Sequence, residues 1–150
     1  MTQRGFTLIE LMVVLTVAVI LLSVSIPAFF ESTARARLEG VVNELAVDLQ
    51  YARSEAVRER AAVVLLVADS GNSYTVSNPT AILKTVTLPS GLSLTPGATV
   101  SYDALRGISQ DAVFTAAATG LTQTLRATTN ALGRVQVCTP SGRFGGNPAC

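Results

Sequence analysis

The chain has 150 residues, 49% of them hydrophobic and 14% charged, with 11 basic and 10 acidic side chains for a formal net charge of +1. That balance gives no overall electrostatic case for nucleic acid. The sequence has no His, the commonest general base and metal ligand, and no Trp.

The apolar excess is concentrated near the N-terminus. Leu11–Phe30 is a run of twenty uncharged residues, preceded directly by Glu10 and more distantly by Arg4. A helix of that length spans about 30 Å, the thickness of a bilayer's hydrocarbon core. Three readings compete. A cleaved secretory signal has a shorter apolar stretch followed by a small-residue cleavage site, and no such site follows here. A plain signal anchor explains the length but not Glu10. With Arg4 on one flank and Arg35 and Arg37 on the other, charge bias does not decide its orientation. In the third reading Glu10 is functional, because an acid beside a membrane segment is costly unless paired. Its natural partner is an α-amino group. The bland counterpart is a helix N-terminal acid that suits the dipole.

Gly5-Phe6-Thr7-Leu8-Ile9-Glu10, after a short basic leader, resembles the type IV prepilin signal over residues 4–30. The resemblance implies a leader of residues 1–5, cut by a prepilin peptidase between Gly5 and Phe6, and N-methylation of Phe6. It implies a retained transmembrane helix over 6–30. Glu10 would pair with the N-terminal amine of a neighbouring subunit in a helical filament, where opposite charges in a low-dielectric core attract strongly. Pro27 removes one helical hydrogen bond; either the helix is simply kinked there, or the segment loosens on assembly.

After Phe30 the pattern becomes amphipathic. Leu38, Val41 or Val42, Leu45, Leu49, Ala52 and Ala56 recur at spacings of three and four. Glu31–Arg35 and Glu55–Arg58 stand at helical pair spacing on the expected wet side, and Gly40 is a mild weak point. The helix is therefore expected to continue over 31–60. Its stripe packs on the chain's own sheet rather than on a coiled-coil partner, because the heptads do not persist.

Residues 61–150 are expected to form a β-rich globular domain. "AVVLLVA" reads as a fully buried strand, "DSGN" as a turn and "SYTVS" as its hairpin partner. "ILKTVTL", "ATVSY", "AVFTAA", "TQTLRAT" and "GRVQVCT" are further short strands between Gly, Asn and Pro breaks. A helix followed by strands is an α+β arrangement: a long N-terminal helix packed on an antiparallel β-sheet domain, as in pilins. Leu49–Leu66 is similar to the helix-to-strand junction of the FimT/FimU and secretion-pathway H group of minor pilins. Leu66-Val67 stands where that group often has a Cys, and "DSGNSYTV" replaces its Trp-containing turn.

Catalysis has little to work with. No G-x-S-x-G, P-loop or zinc spacing occurs, and Lys84, the only lysine, has no S-x-x-K before it. No enzyme activity, cofactor or metal site is expected. Cys138 and Cys150 flank "TPSGRFGGNPA". In an exported domain they are expected to be oxidised, and the segment resembles the disulfide-closed C-terminal loop of many pilins. From Ala112 to Cys150 there are three bases, Arg126, Arg134 and Arg143, and no acid. Some FimT-like pilins carry a C-terminal G-R-x-R segment that binds DNA. Here Gly142-Arg143-Phe144 is followed by Gly145, so half of the motif is present. DNA contact by this set stands against a solvated or protein-facing loop.

The resemblance implies a non-enzymatic minor pilin or pseudopilin, held in the inner membrane by a single pass with a periplasmic domain. Its partners would be the prepilin peptidase, other pilins and, in one variant, DNA. A type IV pilus tip or priming subunit, a type II secretion pseudopilin and a DNA-binding pilin for transformation all remain open.

Overall fold

A computed structural model describes residues 7–140, 142, 144 and 146–150, with side chains throughout except at 24–28. The chain divides into two compact units, Met1–Thr33 and Ala34–Cys150. One helix, α1, is continuous from Leu8 to Glu59.

The helix starts at Thr7, whose hydroxyl accepts the Glu10 amide at 3.3 Å. This satisfies one of the orphan donors of the first turn. In the first unit Thr16 donates to the Met12 and Val13 carbonyls at 3.1 and 2.8 Å, and Ser23 donates to Ile20 at 2.7 Å. The hydroxyls thus turn back onto their own helix, so they present little unsatisfied polarity to an apolar surround. Large apolar side chains from Leu8 to Leu22, with Phe29 and Phe30, are exposed on this unit. Among the described residues no helix is long and apolar enough to cross a membrane. Pro27 falls among the side chains that are not described.

In the second unit the amphipathic stripe is buried as its spacing requires. Leu38, Val42, Leu45, Leu49, Ala52 and Ala56 have no exposed surface, and Gly40 does not interrupt the helix. The helix closes with Arg60 in the left-handed conformation (φ 52°) and the Ala61 amide donating to Ala56 O at 3.2 Å, a Schellman-type end.

Among the described residues eight strands follow: β1 (Val63–Val67), β2 (Ser73–Ser77), β3 (Ile82–Thr87), β4 (Leu92–Leu94), β5 (Thr99–Tyr102), β6 (Ala112–Ala118), β7 (Leu125–Thr129) and β8 (Val135–Cys138). They form two four-stranded antiparallel sheets, ordered β3-β2-β1-β5 and β4-β6-β7-β8. The expected β1–β2 hairpin is present, with Val67 opposite Tyr74 across the Asp69–Asn72 turn. Strand β4 lies in a Gly- and Pro-flanked segment that has no strand signal beyond its two leucines.

The expectation of a fully buried β1 is corrected. Val63, Leu65 and Val67 are buried, but Leu66 is 44% exposed. In an antiparallel sheet with one face on the core, even a continuous apolar run must alternate. Both sheets and the helix share one core, in which Tyr74, Val76, Val100 and Tyr102 meet Leu94, Phe114, Leu125 and Ala127. The sheets are stitched at the β1–β2 turn, where Leu94 N donates to Gly71 O at 2.9 Å. Gly71 has φ +69°, and a Cβ there would stand 2.6 Å from Leu94 O, so only glycine allows the approach.

Candidate subunit interface

Three parts of the molecule carry the residues singled out in the sequence: the start of α1, the C-terminal loop and a groove beside the end of α1. Gly5 and Phe6 lie outside the described residues. Glu10 sits at the third position of the first helical turn, with its amide on Thr7. An acid there favours the helix N-terminus whatever else it does.

Cys138 and Cys150 are joined by a disulfide, with Cα atoms 4.9 Å apart. The loop that it closes is also held by main-chain bonds: Thr139 N donates to Pro148 O at 2.8 Å, and Cys150 N donates to Thr139 O at 3.0 Å. Phe144 is 4% exposed and belongs to the core, and the Arg35 guanidinium lies 5.3 Å from its ring centroid. The loop is therefore anchored by an aromatic plug as well as by the covalent bond. Flanking glycines disguised this role in the sequence, since an isolated Phe in "GRFGG" has no periodicity.

Of the three bases of the C-terminal region, the two that are described stand apart. Arg143 lies outside the described residues. Arg126 is half-buried on β7, opposite Cys138, and its Nε is enclosed without a hydrogen-bond partner among the described residues. Arg134 is exposed at the far end of the same ladder, roughly 13 Å away at about 3.3 Å per residue.

Arg134 instead joins Arg53 and Arg106 in an open groove of about 840 Å³, lined also by Gln50, Ser54, Val57, Leu132, Gly133 and Val135. No acid is among its lining residues. Two turns build its wall. Asp103 accepts the Leu105 and Arg106 amides at 3.0 and 3.2 Å, and these bonds hold its carboxyl below the usual range. Asn130 accepts the Leu132 and Arg134 amides at 3.1 and 2.9 Å. Arg53 Nε donates to Gly107 O at 3.0 Å, locking the first turn to the helix. Gly133, at φ +71°, fits against that same carbonyl, and a Cβ would come within 2.6 Å of it. Sequence inspection missed Arg53 and Arg106, because only the fold brings residues 53, 106 and 134 to one place.

Two further charge clusters involve α1, one joining it to the strands and one within the helix. Asp48, 4% exposed, accepts Tyr74 Oη at 2.7 Å and Lys84 Nζ at 2.7 and 2.8 Å. Burial first, then the bond to Asp48, pushes the Tyr74 hydroxyl well above its ordinary pKa; the same carboxylate raises Lys84. Glu55, expected on the wet side, is 7% exposed and gripped by Arg58. The correction has a local reason: Glu55 flanks the buried Ala52–Ala56 face, and Arg58 compensates the carboxylate and holds its pKa down. Among the described residues no group of three or more His, Cys, Asp or Glu is placed to hold a metal.

A long helix whose second half packs on antiparallel strands, followed by a disulfide-closed C-terminal loop, is the architecture of type IV pilin-like proteins. Residues 41–142 match the family described as type II transport protein GspH, and residues 1–26 match the prokaryotic N-terminal methylation motif. The first match spans more than half of the chain, and the protein belongs to the GspH family of minor pilins and pseudopilins. Two curated fimbrial proteins of Pseudomonas aeruginosa are each 34% identical over 74 residues. That alignment covers 49% of this chain and 47% of each relative, so the chain matches about half their length. The fold is similar to the type IV minor pilin FimU of P. aeruginosa, with TM-score 0.60 and 23% identity over 73% of this chain and 96% of that one. It is also similar to the minor pseudopilin EpsH of the Vibrio cholerae type 2 secretion system, with TM-score 0.56 and 16% identity over 70% and 98% of the two chains.

Proposed function

We propose that this protein is a structural subunit of a type IV pilus, near its tip or priming complex, made as a prepilin and stored in the inner membrane. The observation that carries the reading is the succession of two family matches along one chain. The methylation motif covers 1–26 and the GspH match covers 41–142, joined by a helix continuous from Leu8 to Glu59. In this reading a prepilin peptidase cuts between Gly5 and Phe6, and Phe6 is N-methylated. The uncharged run Leu11–Phe30 anchors the subunit in the bilayer and later packs in a filament core. Glu10 then pairs with a neighbour's terminal amine. The protein works without catalysis, by assembly.

The family match itself supports a second reading, a pseudopilin of a type II secretion system. A third, DNA capture through Arg143, is less favoured: Gly145 replaces the second arginine of the motif, and Arg126 is half-buried and well separated from Arg134. The experiment is Glu10→Ala in the full chain. The mutant should insert normally and fail to enter filaments, and the wild-type mature chain should begin at Phe6. Normal incorporation would make Glu10 a helix-end residue only. Deleting pilus genes or secretion genes in turn, and asking which abolishes incorporation, separates the first two readings.

A further inference from the structure

We propose that the groove at the end of α1 is a docking site for an acidic, leucine-rich segment of a partner subunit, with Arg106 and Arg134 as the carboxylate-binding pair. This names the partner chemistry of the subunit proposed above and rests on that reading. The groove is about 840 Å³, within the range of specific binding sites. Its lining combines three guanidinium groups with Val57 and Leu132 and contains no acid.

The three arginines are not equivalent. Arg53 is half-buried and committed to Gly107 O. Arg106 and Arg134 are exposed and join no ion pair among the described residues. Each sits on a turn whose backbone is fixed by a side-chain acceptor, Asp103 for one and Asn130 for the other. The two turns are joined where Ser109 N donates to Ala131 O at 3.2 Å and Ser109 Oγ donates to Asn130 O at 3.1 Å. The backbone that carries each donor is thus fixed before any partner arrives, which lowers part of the entropy that binding must offset.

The apolar content selects the occupant. Leu132 is 71% exposed and Val57 45%. A leucine or valine of a partner would cover them, while planar guanidinium forks match carboxylates two bonds at a time. Affinity for a nucleic-acid backbone comes mainly from neutralised phosphates, and two cations release few counterions.

The test uses the full chain in detergent and three labelled probes: a peptide alternating leucine and glutamate, the same peptide with glutamine for glutamate, and mixed-sequence single-stranded DNA. The acidic peptide should bind, and the glutamine peptide should bind at least about tenfold more weakly. Arg106→Glu and Arg134→Glu should each reduce acidic-peptide binding by about tenfold or more. Leu132→Ala should weaken both peptides together. Intact Cys138–Cys150 and unchanged melting temperature confirm that the variants fold. Equal binding of the two peptides, no binding of either, or tighter binding of DNA than of the acidic peptide would each overturn the proposal. Glu10 lies in the other unit, so Glu10→Ala should leave peptide binding unchanged. Peptide binding by a protein that never enters a filament would sink the subunit reading and leave the groove standing, whereas loss of peptide binding alone sinks the groove.

Discussion

The helix α1 has two halves that both carry many apolar residues and behave in opposite ways. From Leu8 to Leu22 its large apolar side chains are more than half exposed and distributed round the axis; from Leu38 to Ala56 the apolar residues fall on one stripe with no exposed surface. A helix hydrophobic all round needs surroundings that its own chain does not provide, whereas a striped helix is satisfied by one packed face. The polar residues follow the same division. In the first half hydroxyls bond to their own helix; in the second, Asp48, Arg53 and Glu55 reach strands, turns or an adjacent charge. One continuous element therefore carries two kinds of surface.

That contrast can be broken most severely in the second half. Leu49→Ala should cost the domain about 3 kcal/mol, within the usual 2–5 kcal/mol for a large-to-small change in a core, and lower its melting temperature by several degrees. A loss below ~1 kcal/mol in denaturant titration would mean that the stripe is not packed as described. Cys150→Ser opens a loop whose ends are 12 residues apart and should cost about 3 kcal/mol on the loop-entropy account. Because Phe144 also anchors that loop, limited proteolysis should still find it protected in the mutant; rapid cleavage there would show that the disulfide alone holds it.

A smaller effect is expected at the polar seam. Asp48→Ala leaves the Tyr74 hydroxyl buried without its acceptor, at about 1–3 kcal/mol. The double mutant Asp48→Ala with Tyr74→Phe should recover part of that loss, and a cycle showing no recovery would remove Tyr74 from the account. The seam also predicts an alkaline weakness. Tyr74 and Lys84 both have folded pKa values raised above their ordinary values of 10.0 and 10.5. The folded state therefore holds both protons more tightly than the unfolded state. The stability from these groups is fully present below about pH 10 and is lost as pH rises beyond it, with a limiting slope of about 1.4 kcal/mol per pH unit for the buried Tyr74 and a smaller, solvent-screened share from Lys84. Tyr74→Phe should flatten that fall, and an unchanged slope would count against the assignment. Least of all, Leu15→Ala should leave domain stability within about 0.5 kcal/mol, because the side chain is 57% exposed. A larger shift would mean that Leu15 is packed rather than exposed.

Much of this was legible without coordinates. The uncharged run, the three-and-four spacing from Leu38 to Ala56 and the DSGN turn are local patterns with local causes, and the helix and the β1–β2 hairpin stand where those patterns put them. Local patterns also misled. Continuous apolar character in β1 suggested burial on both sides, and the spacing of Glu55 and Arg58 suggested a solvated pair. Neither reading could know which face the second sheet would leave open or how far the helix would sink against the strands.

By itself the sequence carried the Gly5–Glu10 motif, the uncharged run Leu11–Phe30, the order of the helix and every strand but β4, and the two cysteines, because each is written in contiguous or regularly spaced residues. The tertiary structure alone decided the rest. It divided eight strands into two sheets, buried Phe144 beneath a glycine-rich loop, and set Asp48 between Tyr74 and Lys84. It also gathered Arg53, Arg106 and Arg134 from three separate segments around one groove. Such meetings depend on chain reversals that bring distant residues together, and no spacing along the chain encodes them.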